Sequence, residues 1–220
     1  MLIEVKNLTR KYSRGLRHIT AVDGVSLTVG KDEFVIIKGE SGSGKSTLLS
    51  MLAGLLKPTE GSVVISGENL YKLSDKELSL FRNRHIGYVP QGHEFLSELT
   101  VYENILLPQR LYNKASGDVK DRVIEILNRL GISELKDSYP SELSGGERKR
   151  SAIARALVNA PDILLADEPT SDLDRKNTTI VLDAFSEIAK SGTAVIMITH
   201  DDHISSYGDR ILNMEKGKLI

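Results

Sequence analysis

Short apolar runs and alternations, none of them long, organise this chain. Ile3, Val5 and Leu8 alternate with polar residues near the N-terminus, which predicts a strand of edge character with one buried face. Val25, Leu27 and Val29 repeat the pattern, and a loop is expected between the two at about 13–20. Residues 34–37, 163–166 and 194–198 are continuous apolar runs, the second opened by Asp162. Runs apolar on both faces predict strands of a parallel sheet covered on both sides. Shorter strands are expected at 62–65 and 86–89. A helix should run from Lys45 to about Leu55, stopped by Lys57-Pro58, and an amphipathic helix should cover Arg175–Lys190. Between about 92 and 160 the pattern turns helical. Val119, Val123, Ile126, Leu127 and Leu130 share one face at helical spacing, and Gly131 is placed to end that helix. A last hairpin should turn at Glu215-Lys216-Gly217. The outline is an α/β sheet core with a helical insertion at roughly 92–142.

Composition narrows the classes. The 220 residues hold 29 Lys+Arg against 30 Asp+Glu, a net charge of −1, with 40% hydrophobic residues and no Cys. Such a chain can bury a sizeable core, and it lacks both the signature of disorder and the bulk basic charge of a general nucleic-acid binder. Without Cys there is no disulfide, thiolate zinc site or cysteine nucleophile. No apolar run approaches the roughly 18–20 residues of a spanning helix, and the N-terminus has no signal-peptide core. The chain is therefore expected in the cytoplasm, with any membrane anchor supplied by another polypeptide or segment.

Two motifs carry candidate chemistry. Gly39-Glu40-Ser41-Gly42-Ser43-Gly44-Lys45-Ser46 matches G-x-x-x-x-G-K-[ST], after an apolar strand and opening a helix, with Thr47 next. Glycines let backbone N–H groups converge on phosphate oxygens, and the helix start adds the positive end of its dipole. Lys45 is expected to reach the β- and γ-phosphates of a nucleotide, and the Ser46 hydroxyl to ligate Mg²⁺. Asp167 and Glu168 end a buried strand, where ligands of parallel sheets bind. Asp167 is expected to hold Mg²⁺ through water, and Glu168 to act as general base on an attacking water.

Leu143-Ser144-Gly145-Gly146-Glu147 resembles the LSGGQ signature of ATP-binding-cassette (ABC) ATPases, and the rest of that family's set follows in order. Tyr12 fits the aromatic that stacks on adenine, Gln91 the Q-loop glutamine, Ser171-Asp172-Leu173-Asp174 the D-loop, and His200 the switch histidine. The resemblance covers essentially the whole chain. It implies a P-loop NTPase core, mostly parallel sheet plus an N-terminal antiparallel β-subdomain, with an inserted α-helical subdomain. Residues 1–91 and 161–220 would form the core, and 92–160 the helical subdomain carrying the signature. The cofactors implied are ATP and Mg²⁺, with Gln91 sensing the metal and His200 contacting the γ-phosphate and holding the attacking water. Ser144, Gly145 and Gly146, expected to precede a helix over 147–158, would form a second anion site. The resemblance implies a head-to-tail dimer in which each ATP lies between one subunit's phosphate loop and the other's signature, with Asp174 near that junction.

Within the family the chain looks like the MacB/LolD group. The hints are the segment between Tyr12 and Val22, Arg84-His85-Ile86-Gly87-Tyr88 before Gln91, and Glu103-Asn104-Ile105-Leu106-Leu107-Pro108 after it. Pro90, Glu147 and Asp172 depart from the usual pattern, and Asp172 adds a carboxylate near the expected dimer junction. The function implied is that of a transport motor attached to an integral membrane permease subunit or to a fused membrane domain, on the cytoplasmic face, driving export, lipoprotein release or peptide or drug efflux. An FtsE-like cassette that signals across the membrane without moving a substrate is the alternative. The basic runs Arg10, Lys11, Arg14, Arg17, His18 and Arg148-Lys149-Arg150 are expected to be solvated faces, with no nucleic-acid partner.

Overall fold

The computed structural model describes all residues except 16, 93–94 and 112–118, and the side chains of Arg14, Arg17 and Asp202 are likewise outside the description. Parts of the expected 13–20 loop and of the helical insertion therefore lie outside the described residues.

Two sheets build the chain. β1 (Ile3–Arg14), β2 (Arg17–Val29), β4 (Glu60–Ile65) and β5 (Glu68–Asn69) form an antiparallel sheet in the order β2-β1-β4-β5. The loop expected at about 13–20 is instead a hairpin, in which Lys11 pairs with Thr20 and Tyr12 with Ile19. β1 is also no edge strand, because it pairs with β2 on one side and β4 on the other. Alternation reports that one face is buried. It carries no information about whether the strand's edges are paired.

The second sheet joins β3 (Phe34–Lys38), β6 (Ile86–Val89), β7 (Ile163–Asp167), β8 (Ala194–Thr199), β9 (Arg210–Glu215) and β10 (Lys218–Leu219). Its order is β10-β9-β3-β8-β7-β6, parallel throughout except for the final hairpin. Every residue of β7 and β8 is buried, as expected of a sheet covered on both faces. The pleat divides them between two cores. Phe34, Ile36, Leu164, Ala166, Val195 and Met197 face one core with α6 (Arg175–Lys190), whose Phe185 meets Phe34 edge-on at 6.1 Å between ring centroids. Val35, Ile37, Leu165, Ile196 and Ile198 face the other, with the antiparallel sheet and α1 (Lys45–Leu52).

Three helices share one device at their start. α2 (Asp75–His85), α3 (Val101–Arg110) and α5 (Gly145–Leu157) are opened by Ser74, Thr100 and Ser144, each in a reciprocal capping box with a Glu three residues on. α2 is absent from the sequence-based outline, for reasons taken up below. α4 (Val119–Arg129) buries Val119, Val123, Ile126 and Leu127 on the expected face, and Gly131 follows it at φ +62°. α5 starts earlier than expected: Ser144 is its N-cap, so Gly145 and Gly146 lie in its first turn.

Candidate functional site

The expected phosphate loop joins β3 to α1, at the carboxyl end of the central sheet. Its backbone must pass close to neighbouring chain. A Cβ on Gly44, at φ +107°, would fall 2.1 Å from the Ala21 carbonyl oxygen, and one on Gly39 would fall 2.2 Å from that of Met214. Both positions therefore require glycine. Lys45 is buried, and its ammonium donates to the carbonyls of Gly39 at 2.6 Å and Glu40 at 2.8 Å. Burial pushes the Lys45 ammonium below its ordinary pKa, while the Glu168 and Asp167 carboxylates push back. Ser43 is buried, and its hydroxyl has no hydrogen-bond partner among the described residues. Ser41 and Gly42 are exposed at the loop's rim.

Ser46 lies in the first turn of α1 and donates through Oγ to Asp167 Oδ1 at 3.3 Å. Asp167 is buried at the end of β7, and that burial pushes its carboxyl upward, with the Ser46 hydroxyl pulling the other way. A desolvated carboxylate beside a hydroxyl is a donor set of hard oxygens, which suits Mg²⁺. The convergent loop backbone, the unpartnered Ser43 hydroxyl and the Lys45 ammonium suit a polyphosphate. The residues present thus fit a Mg²⁺-nucleotide.

Glu168 follows at once and turns the chain, at the left-handed φ of +46°. Its carboxylate is held from two sides. His200 Nδ1 lies 3.0 Å from Oε1, and Gln91 Nε2 donates to Oε2 at 3.3 Å. His200 directly follows β8, and Gln91 lies two residues past β6. Strands that neighbour β7 on both sides therefore deliver the two partners. Glu168, Ser171, Asp172, Thr199 and His200 line one open groove, and Asp172 also takes a left-handed φ of +61°.

The remaining expected residues lie around this centre. Tyr12 is partly exposed on the hairpin whose second strand, at Ala21, touches the phosphate loop, and the Arg10 guanidinium covers one face of its ring at 4.7 Å. Arg10 and Lys11 are spent on internal contacts, with the Lys57 carbonyl and with Glu60. Ser144 and Gly145 are exposed, and nothing lies within 4 Å of a Cβ placed on Gly145. Glu147 accepts from the Ser144 backbone N–H at 2.8 Å and its hydroxyl at 2.7 Å, and these bonds hold its carboxyl below the usual range. Asp174 caps α6 through the Asn177 N–H at 2.8 Å.

The Arg148-Lys149-Arg150 run is not a solvated face. Lys149 is 2% exposed and Arg150 7%. Lys149 donates to the carbonyls of Glu168 and Ser171, and Arg150 to the side chain of Asn177. Composition cannot reveal this, because a cation on a helix is buried only where acceptors from a distant segment meet it. The one available signal was that Lys149 lies four residues before Ile153, on the apolar side of α5.

Comparison with known proteins agrees with this geometry. Residues 22–171 match the ABC transporter family. The lipoprotein-releasing system ATP-binding protein LolD of Aquifex aeolicus is 45% identical over 93% of this chain and 92% of its own. The macrolide export ATP-binding/permease protein MacB of Chlorobaculum tepidum is 38% identical over 100% of this chain, which spans only 34% of that longer protein. Among solved structures, the ATP-binding cassette MJ0796, dimeric in a post-hydrolysis state bound to ADP and Pi, superposes with a TM-score of 0.92 at 36% identity, covering 99% of this chain and 96% of that one. With a family match over most of its length and a relative this similar at nearly full coverage, the chain belongs to the ABC transporter family, as an ATP-binding subunit of the LolD/MacB group.

Proposed function

We propose that this chain is the ATP-hydrolysing motor subunit of a LolD/MacB-type transporter. It works as a head-to-tail dimer around two ATP molecules and drives an integral membrane partner from the cytoplasmic face. The observation that carries the reading is the Glu168 carboxylate, held by Gln91 and His200 beside the Lys45 loop. In this reading residues 1–91 and 161–220 form the catalytic core, and 92–160 the helical subdomain that meets the membrane partner.

Each side chain has a task. The loop N–H groups around Gly39, Ser41, Gly42, Ser43 and Gly44, with Lys45 and Thr47, hold the phosphate chain, and Tyr12 offers its free ring face to adenine. Ser46 and Asp167 would hold Mg²⁺ with Gln91 alongside, and the ion would supply neutralisation of phosphate charge there. Glu168 takes a proton from a water aligned by His200. That water's oxygen bonds the γ-phosphorus as the bond to the β–γ bridging oxygen breaks, releasing phosphate and ADP. A partner subunit completes the site with Ser144, Gly145, Gly146 and Glu147, whose helix start faces outward, and with the Asp174 region. No helix among the described residues is long and apolar enough to cross a membrane.

Steady-state phosphate release tests the proposal. Mg²⁺-dependent hydrolysis that rises more than linearly with protein concentration is expected, as is a loss of at least about tenfold in nucleotide affinity on Lys45→Ala, which removes a charge-assisted contact. Hydrolysis indifferent to Mg²⁺ together with unchanged affinity in Lys45→Ala would contradict it.

A further inference from the structure

The geometry points to Lys149, on the signature helix, as a positioning residue for hydrolysis: its ammonium fixes the turn that aims the Glu168 carboxylate. Lys149 is among the largest fully buried side chains of the molecule, yet it is a cation. Its ammonium has three donors, and three acceptors meet them: the Glu168 carbonyl at 2.9 Å, the Ser171 carbonyl at 3.1 Å and the Ser171 Oγ at 2.7 Å. A buried ammonium is tolerated only when hydrogen-bonded and balanced by charge. The anions that act on it are Asp172, Glu168 and Asp167, which carry the opposite charge at the end of β7 and in the turn that follows.

The turn that Lys149 grips needs holding. Glu168 and Asp172 both occupy left-handed backbone, which side-chain-bearing residues rarely adopt and which persists only where the surroundings enforce it. Within the turn, the Ser171 N–H and Oγ both donate to the Glu168 carbonyl, and from β8 the Ile198 carbonyl accepts the Glu168 N–H. Lys149 ties both ends of the turn, at Glu168 and at Ser171, to α5. Because it sits on α5, five residues after Ser144, the helix start that would face a partner's nucleotide is tied to the orientation of this subunit's own base. Arg150, bonded to Asn177 just past Asp174, adds a second strut from the next position of the helix. Asp172, unusual at its position, then has a role as an added counter-charge to Lys149.

The inference rests on Glu168 being the base, and the test separates the two. Lys149→Met keeps length and burial but removes all three donors. ATP turnover and nucleotide affinity, by fluorescent-ATP titration, are measured on the full chain for wild type, Lys149→Met, Lys149→Gln, Ser171→Ala and Glu168→Gln. Lys149→Met should lose at least about tenfold in kcat with affinity within twofold of wild type. Lys149→Gln, which keeps two N–H donors, should recover most of that loss. In single turnover, Lys149→Met combined with Glu168→Gln should be no slower than Glu168→Gln alone, since one acts through the other. Wild-type kcat in Lys149→Met, an affinity loss equal to the kcat loss, or a further multiplicative loss in the double variant overturns the inference. Should Lys149→Met fail to fold, Ser171→Ala, which deletes one acceptor, carries the test: a severalfold kcat loss at constant affinity supports the inference, and wild-type kcat overturns it. Full hydrolysis by Glu168→Gln would instead overturn the assignment of the base.

Discussion

Glu168 Oε1 and His200 Nδ1 lie 3.0 Å apart, although 32 residues separate them in the chain. Neighbouring parallel strands β7 and β8 end side by side and present these two groups to the same groove. His200 is the more exposed member, at 61% of its side chain against 17% for Glu168. Its contribution is therefore expected to be one of orientation at the reacting end, with little to the fold. His200→Ala should lower kcat by roughly 10²–10³, the usual worth of one preorganised polar group at the reacting centre, and leave nucleotide affinity nearly unchanged. Parallel turnover and fluorescent-ATP titrations check this, and a kcat within threefold of wild type would exclude the role.

Asn104 is completely buried, and its side chain ties down the segment that follows Gln91. The Nδ2 group donates to the carbonyls of Leu96, Leu99 and Thr100, at 3.1, 2.9 and 3.0 Å, and Oδ1 accepts from the Leu96 N–H at 2.9 Å. Replacing it with Leu takes from the Leu96 N–H and the Leu99 carbonyl their partner and leaves the Leu96 and Thr100 carbonyls one bond fewer, each lost bond to a part-buried group costing about 1–3 kcal/mol. Asn104→Leu should thus lose at least about 2 kcal/mol in urea unfolding. A stability equal to wild type would show that the segment is held by packing alone.

The cap of the signature helix gives a pH dependence with a definite sign. The Ser144 hydroxyl and backbone N–H hold the Glu147 carboxyl below its ordinary value of 4.5. A depressed folded pKa stabilises fully above the unfolded pKa, and that contribution disappears as pH falls through the folded value. The stability advantage of wild type over Glu147→Gln should accordingly be full at pH 7, begin to shrink as pH falls into the ordinary range of Glu, and be lost below it as the carboxyl protonates in the folded protein. Urea melts of both proteins at pH 7 and pH 3 check it. An advantage that is the same at both pH values would show that the carboxylate's charge is not involved.

Much of the site was legible because its residues fall at strand ends and helix starts, where local sequence dictates geometry. The apolar runs of β7 and β8 fix where Asp167 and His200 emerge, and Asp174 at the start of α6 fixes the following helix. What escaped depended on distant partners. The α2 helix buries only Phe81 among its own residues, so its apolar period is weak, even though Ser74 and Glu77 spell a capping box. The β1–β2 hairpin runs through polar residues whose pairing, not burial, makes them strands. Lys149 read as one of three exposed cations, because its acceptors lie 19 and 22 residues further along the chain.

The central claim is that Glu168 is the base of an ATP-sandwich dimer. Glu168→Gln keeps the side chain's size and its contacts with Gln91 and His200 within reach, while removing the proton acceptor. Gel filtration with ATP and Mg²⁺, paired with phosphate release from the same sample, is the direct measurement. The variant should elute as a dimer with ATP bound while hydrolysis falls by at least about 10², the low end of what general-base catalysis contributes. Elution as a monomer with phosphate released at the wild-type rate would contradict the claim.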